Sequence, residues 1–111
     1  MLNVSLGKLY PIMILYNVTV KIDKAVEADW LRWMKAVHIP DVLNTGLFVD
    51  HKLCRILVDE TDGVSFSVQY FCKDMGAFER YQDTFAATLQ ADHRQRYKDR
   101  FVAFRTLMEV L

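Results

Sequence analysis

From Met13 to Ile22 the apolar residues Ile14, Tyr16, Val18, Val20 and Ile22 alternate with Leu15, Asn17, Thr19 and Lys21. A period of two is what a strand shows when one of its faces is buried. The period then changes. Val26, Trp30, Met34 and Val37, with Trp33 beside them, recur at three- and four-residue steps, while Lys24, Glu27, Arg32 and Lys35 fill the positions between. That spacing predicts an amphipathic helix. Pro40 lacks a backbone donor and disfavours helical geometry at Ile39, so the helix should break near His38 and restart with Pro40 in its first turn. Gly46 is placed to end this second piece. His38 follows Met34 by one helical turn and projects from the buried stripe or its margin, an odd place for an imidazole.

Two further apolar stretches, Leu47 to Val58 and Val64 to Cys72, flank Asp59-Glu60-Thr61-Asp62-Gly63 and read as a hairpin. Asp74 can cap a second helix whose Phe78, Tyr81, Phe85 and Leu89 form an apolar stripe, followed by a short polar helical turn from Asp92 to Lys98. Phe101 to Val110 is the last strand. The order is β-α-β-β-α-β. With right-handed crossovers it gives a four-stranded antiparallel sheet in the order four, one, three, two, with both helices on one face: an α+β, ferredoxin-like plait. Residues 13–111 are expected to form this single domain. Residues 1–12, with a Gly, a Pro and no periodicity, read as a loose extension ahead of it.

Helices cover one face only, so the other meets water, a ligand or another protein. Tyr16, Val18 and Val20 on strand one and Phe66, Val68 and Tyr70 on strand three are expected on the helix side. Asn17, Thr19, Ser65, Ser67 and Gln69 are then on the open side. On strand four Val102, Phe104, Met108 and Val110 are expected to go to the helices, leaving Ala103, Arg105, Leu107 and Glu109 outside. On strand two the more apolar set Cys54, Ile56 and Val58 places His51, Leu53 and Arg55 on the open face.

Composition excludes several classes. The charges balance, 14 Lys and Arg against 14 Asp and Glu, so there is no long-range attraction to nucleic acid or to an anionic membrane. The open-face positions of the two central strands hold Asn, Thr, Ser and Gln, with Phe71 the only aromatic, which disfavours base stacking and RNA binding. Neither paired thiols nor a Gly-rich phosphate loop appears, and nothing identifies a haem or flavin ligand set, so no metal or cofactor is expected. Cys54 and Cys72 lie in apolar strand contexts as small hydrophobes. No apolar run is long enough to cross a membrane, the first residues lack the features of a signal peptide, and the expected location is the cytoplasm. The basic run Arg94, Arg96, Lys98 and Arg100 is interleaved with Asp92 and Asp99 and reads first as a solvated face.

The segments MILYNVTVKID, WLRWMKAVHIP, GVSFSVQYF and FVAFRTLMEVL resemble those of a small bacterial family known only as a domain of unknown function. The architecture is similar to the dimeric α+β-barrel superfamily, which includes antibiotic-biosynthesis-type monooxygenases, EthD-like proteins and stress-responsive barrel proteins. His38 followed by Pro40 at the end of the first helix is similar to the EthD-like branch. The resemblance covers Met13 to Leu111 and implies a homodimer, sheet packed on sheet, with a small-molecule pocket. It implies no reaction.

A dimer also follows from the open face, whose area is close to the ~800 Å² per partner of a standard interface. Its polar centre then suggests a wet cavity. The first functional reading is a noncatalytic homodimer that binds a small polar or anionic metabolite. Arg105 and Arg55 would supply charge, and Asn17, Thr19, Ser67 and Gln69 would orient the ligand. The second is a cofactor-independent monooxygenase or isomerase in which His38 is general acid or base and Tyr70 or Tyr81 orients the substrate. A structural dimer without a pocket is the third. Each site residue also has a plain structural role open to it: His38 as a helix-end histidine, the tyrosines as core aromatics, and the open-face residues as a solvated or mutually bonded set.

Overall fold

The structure, a computed structural model, describes residues 12–111; the extension expected over residues 1–12 lies, but for Ile12, outside them. Strand β1 (Ile14–Ile22) is followed by a 3-10 turn (Lys24–Val26) and α1 (Glu27–Trp33). A π-helical turn (Met34–His38) leads without interruption into α2 (Ile39–Leu43). Then come β2 (Asp50–Arg55), β3 (Val64–Cys72), α3 (Met75–Thr84), α4 (Ala86–Arg96) and β4 (Phe101–Glu109). The strands form one antiparallel sheet in the order β2-β3-β1-β4, the order expected of the ferredoxin-like plait.

Helices cover one face. Trp30 of α1 packs on Phe66 of β3, and Phe78 and Tyr81 of α3 pack on Tyr16 of β1. The core between the layers is built from Tyr16, Val20, Ile22, Trp30, Met34, Phe66, Val68, Tyr70 and Tyr81, all buried. Local chemistry shapes the connections as the residues predict. The Asp74 carboxylate accepts from Ala77 N–H at 2.8 Å to start α3. Gly46, at φ 78°, closes the segment after α2 in a conformation that side chains resist.

Three expectations are corrected. Pro40 stands in the first turn of α2 as expected, but the chain stays helical up to it instead of breaking near His38. A proline ring collides with the carbonyl four residues back, and the chain answers by widening the preceding turn: Ile39 N–H reaches back five residues to the Met34 carbonyl. The inserted residue advances the buried stripe, so Ile39 and Val42 are buried and Val37 is exposed. The second helix, by contrast, is divided into two helices that meet at Phe85. α4 then runs on to Arg96, so the segment from Asp92 is helix that carries the buried His93.

The third correction concerns the edge strands. In β4, Val18 stands opposite Arg105 and Val20 opposite Ala103, so Phe101, Ala103, Arg105 and Leu107 share the helix side while Val102, Phe104 and Met108 face out. In β2, Leu53 stands opposite Val68 and Arg55 opposite Phe66, so His51, Leu53 and Arg55 turn to the helix side and Cys54 turns away. Pairing with the central strands sets the facing of both edges, and a slip of one residue reverses all of it.

Candidate active site between sheet and helices

A cavity lies between the helices and the β1-β4 half of the sheet. Its walls are apolar, from Val18, Val20, Met34, Val42, Val68 and Phe101, and its polar groups come from separate elements: Tyr16 and Arg105 from the sheet, His38 from the π turn, His93 from α4. The void between atoms, mouth included, totals about 450 Å³, but only about 40 Å³ of it accepts the centre of a water molecule. That is room for a few waters or the polar head of a ligand, not for a whole ligand of ordinary size.

Arg105 is exposed and stands at the mouth, its Nε donating to the Tyr16 hydroxyl at 3.1 Å. Among the described residues no carboxylate lies within ion-pair distance of it. In the same cavity the Tyr70 hydroxyl is fully buried and, among the described residues, has no hydrogen-bond partner. Such an unmet hydroxyl costs about 1–3 kcal/mol. Burial raises the Tyr70 pKa well above that of a free phenol, with Tyr81 and Tyr16 adding to the effect. Burial raises Tyr81 and Tyr16 too, so all three remain O–H donors.

His38 is half-buried, stacked on Trp33 at 5.0 Å and facing His93 at 5.7 Å between ring centroids. Burial lowers its pKa; Asp41 and Asp92 oppose this and Arg105 reinforces it. His93 accepts a hydrogen bond on Nε2 from Trp30 Nε1–H at 2.9 Å, and burial, with His38 and Arg105 nearby, pushes its pKa down to about 4. The cavity therefore holds two neutral imidazoles, tyrosine donors and an arginine at its mouth.

The expected site residues divide between the two faces. His38, Tyr70, Tyr81 and Arg105 meet in this cavity. Asn17, Thr19, Ser67 and Gln69 lie on the open face and bond to one another. Ser67 Oγ donates to Asn17 Oδ1 at 2.6 Å, Asn17 Nδ2 to Thr19 Oγ1 at 2.9 Å, and Gln69 Nε2 to Ser67 Oγ at 3.1 Å. Arg55 is outside the cavity, paired with Glu27 at 2.6 Å and lying over the Phe66 ring. Sequence reasoning missed Tyr16, Gln90 and His93 as lining residues. His93 follows Leu89 by one helical turn, and extending the helix through Asp92 would have found it.

Residues 13–111 match the family described as a domain of unknown function, DUF4286. The chain belongs to that family. No curated protein matches it. The DUF4286 fold is shared with several solved structures. A conserved Bacteroides thetaiotaomicron protein of unknown function, described as a possible oxidoreductase, superposes with a TM-score of 0.66 at 12% identity, covering 89% of this chain and 98% of its own. The cofactor-independent oxygenase SnoaB from Streptomyces nogalater gives 0.62 at 15% identity over 87% and 92% of the two chains. A dimeric ferredoxin-like protein from an uncultured marine organism gives 0.59 at 14% over 90% and 96%. These likenesses establish the fold. No helix among the described residues of this DUF4286 protein is long and apolar enough to cross a membrane.

Proposed function

We propose that this DUF4286 protein is a homodimer that binds a small anionic metabolite in the cavity between sheet and helices. The observation that carries the reading is Arg105, on the helix side of β4 without a carboxylate partner among the described residues, lining the same cavity as the unmet Tyr70 hydroxyl. Arg105 supplies the charge, and the hydroxyls of Tyr16, Tyr70 and Tyr81 supply donors. The space wide enough for solvent fits the anionic head, and the body of the ligand extends through the mouth beside Arg105. The partner copy covers the open face, where Val102 and Phe104 are 66% and 63% exposed beside the bonded polar quartet. The dimeric ferredoxin-like neighbour supports this pairing. A cytoplasmic location belongs to the same reading.

One observation favours catalysis as a second reading. His38 is an imidazole held neutral at the same cavity, so it can take a proton from a bound molecule, with Tyr70 and Tyr81 orienting that molecule. Likeness to a cofactor-independent oxygenase is in keeping with this use.

Native mass spectrometry of protein purified from its own host tests the proposal. The expected result is a dimer carrying a discrete small molecule that is lost in Arg105→Gln while the dimer persists. A bare monomer would overturn the pairing, and a ligand retained in Arg105→Gln would overturn the assigned role of the arginine.

A further inference from the structure

The contact between Trp30 and His93 has a chemical consequence for whatever the cavity holds. Trp30 is fully buried, and its indole N–H can only donate. The imidazole nitrogen it meets, Nε2 of His93, must therefore keep its lone pair, which leaves the single proton of a neutral His93 on Nδ1. Protonating Nε2 would set two donors against each other in a buried place. Phe101 meets the ring edge-on at 4.4 Å, and Trp33, Tyr97 and His38 also pack on it. Among the described residues no carboxylate lies within ion-pair distance of His93 to compensate. His93 is part of the cavity wall, and the only side-chain hydrogen bond it makes among the described residues is the one to Trp30.

We infer that Trp30 locks His93 in the Nδ1–H tautomer and so makes it a fixed donor in the cavity, which selects ligands presenting an oxygen acceptor, a carboxylate or similar oxyanion, on that side. The inference rests on the ligand-binding reading above. Among the described residues neither nitrogen of His38 has a side-chain hydrogen-bond partner, so of the two imidazoles His38 is the one able to exchange a proton with a ligand. Trp30 and His93 are positioning residues in this arrangement, joined across α1 and α4.

Nitrogen-15 spectra of the imidazoles in labelled full-length protein at neutral pH test it directly. The expected native result is one His93 tautomer, with Nε2 unprotonated, and a mixture of tautomers in Trp30→Phe. A protonated Nε2 in the native protein, or an unchanged tautomer in Trp30→Phe, would overturn the lock. Should Trp30→Phe fail to fold, the native spectrum decides by itself. Benzoate and benzylamine then serve as probes of ligand class. Benzoate should shift the His93 Nδ1 resonance and bind roughly fivefold more weakly to Trp30→Phe, the equivalent of one neutral hydrogen bond. A response to benzylamine instead would overturn the assigned ligand class. Silence with both probes would remove the ligand half of the inference along with the reading beneath it, and the tautomer lock would stand.

Discussion

Both faces of the sheet carry polar side chains and treat them in opposite ways. On the open face Asn17, Thr19, Ser67 and Gln69 spend their hydrogen bonds on one another. On the helix face, among the described residues, the Tyr70 hydroxyl is unmet and Arg105 bonds only the Tyr16 hydroxyl, and two histidines are held neutral by burial. Polarity alone does not mark a site. Unsatisfied polarity in a cavity points to one, because folding bears a cost that a bound ligand or water can return.

The sharpest way to break this comparison is to remove the same side chain from each face. Phe66 is 2% exposed under Trp30, and Phe66→Ala should cost about 3–5 kcal/mol of stability in denaturant unfolding. Phe104, 63% exposed, should cost the isolated chain no more than about 0.5 kcal/mol as Phe104→Ala, yet abolish association if the open face is the interface. Equal losses would mean that the two faces are not distinguished as described.

Between pH 6.5 and about 4, acid should act through the buried histidines of the helix face. The unfolded chain binds a proton at His93 near pH 6.5, whereas the folded protein resists it down to about 4. Stability is thus complete above the unfolded value and falls with pH through that window, by roughly 3 kcal/mol at its foot, with His38 acting in the same direction. His93→Gln should flatten the pH profile of the melting temperature between those values. A profile unchanged by the substitution would show that His93 is not buried neutral.

Smallest, and most telling in sign, is the loss of one hydroxyl from each face. Ser67 Oγ both donates and accepts in its network, so Ser67→Ala should destabilise by about 1 kcal/mol. The Tyr70 hydroxyl has no partner among the described residues, so Tyr70→Phe should leave stability unchanged or raise it by about 1 kcal/mol while weakening ligand binding. Thermal unfolding of the pair checks both, and a loss in Tyr70→Phe as large as in Ser67→Ala would mean that the Tyr70 hydroxyl is satisfied.

Sequence alone determined the element order, the sheet order and the facing of β1 and β3. Those central strands have a neighbour on both edges and alternate so strongly, Ile14-Tyr16-Val18 against Leu15-Asn17-Thr19, that only one facing buries the apolar set. It also drew attention to His38, Tyr70 and Tyr81, which meet in one cavity. Tertiary structure decided the rest. In β4 both alternate sets are partly apolar, Val102 and Phe104 on one side, Phe101 and Leu107 on the other, so periodicity cannot choose; pairing of Arg105 with Val18 chooses, and brings the arginine to the cavity. Pro40 looked like a helix break because a proline collision is local, but the remedy, a π turn that rotates His38 inward, is paid back only by the packing of Ile39 and Val42 beyond it. His93 entered the site because Trp30, sixty-three residues earlier, supplies the one hydrogen bond that a buried neutral imidazole can accept there. Alternation along a chain is a local property, whereas the partner of a buried polar atom is chosen by whatever the fold carries to it.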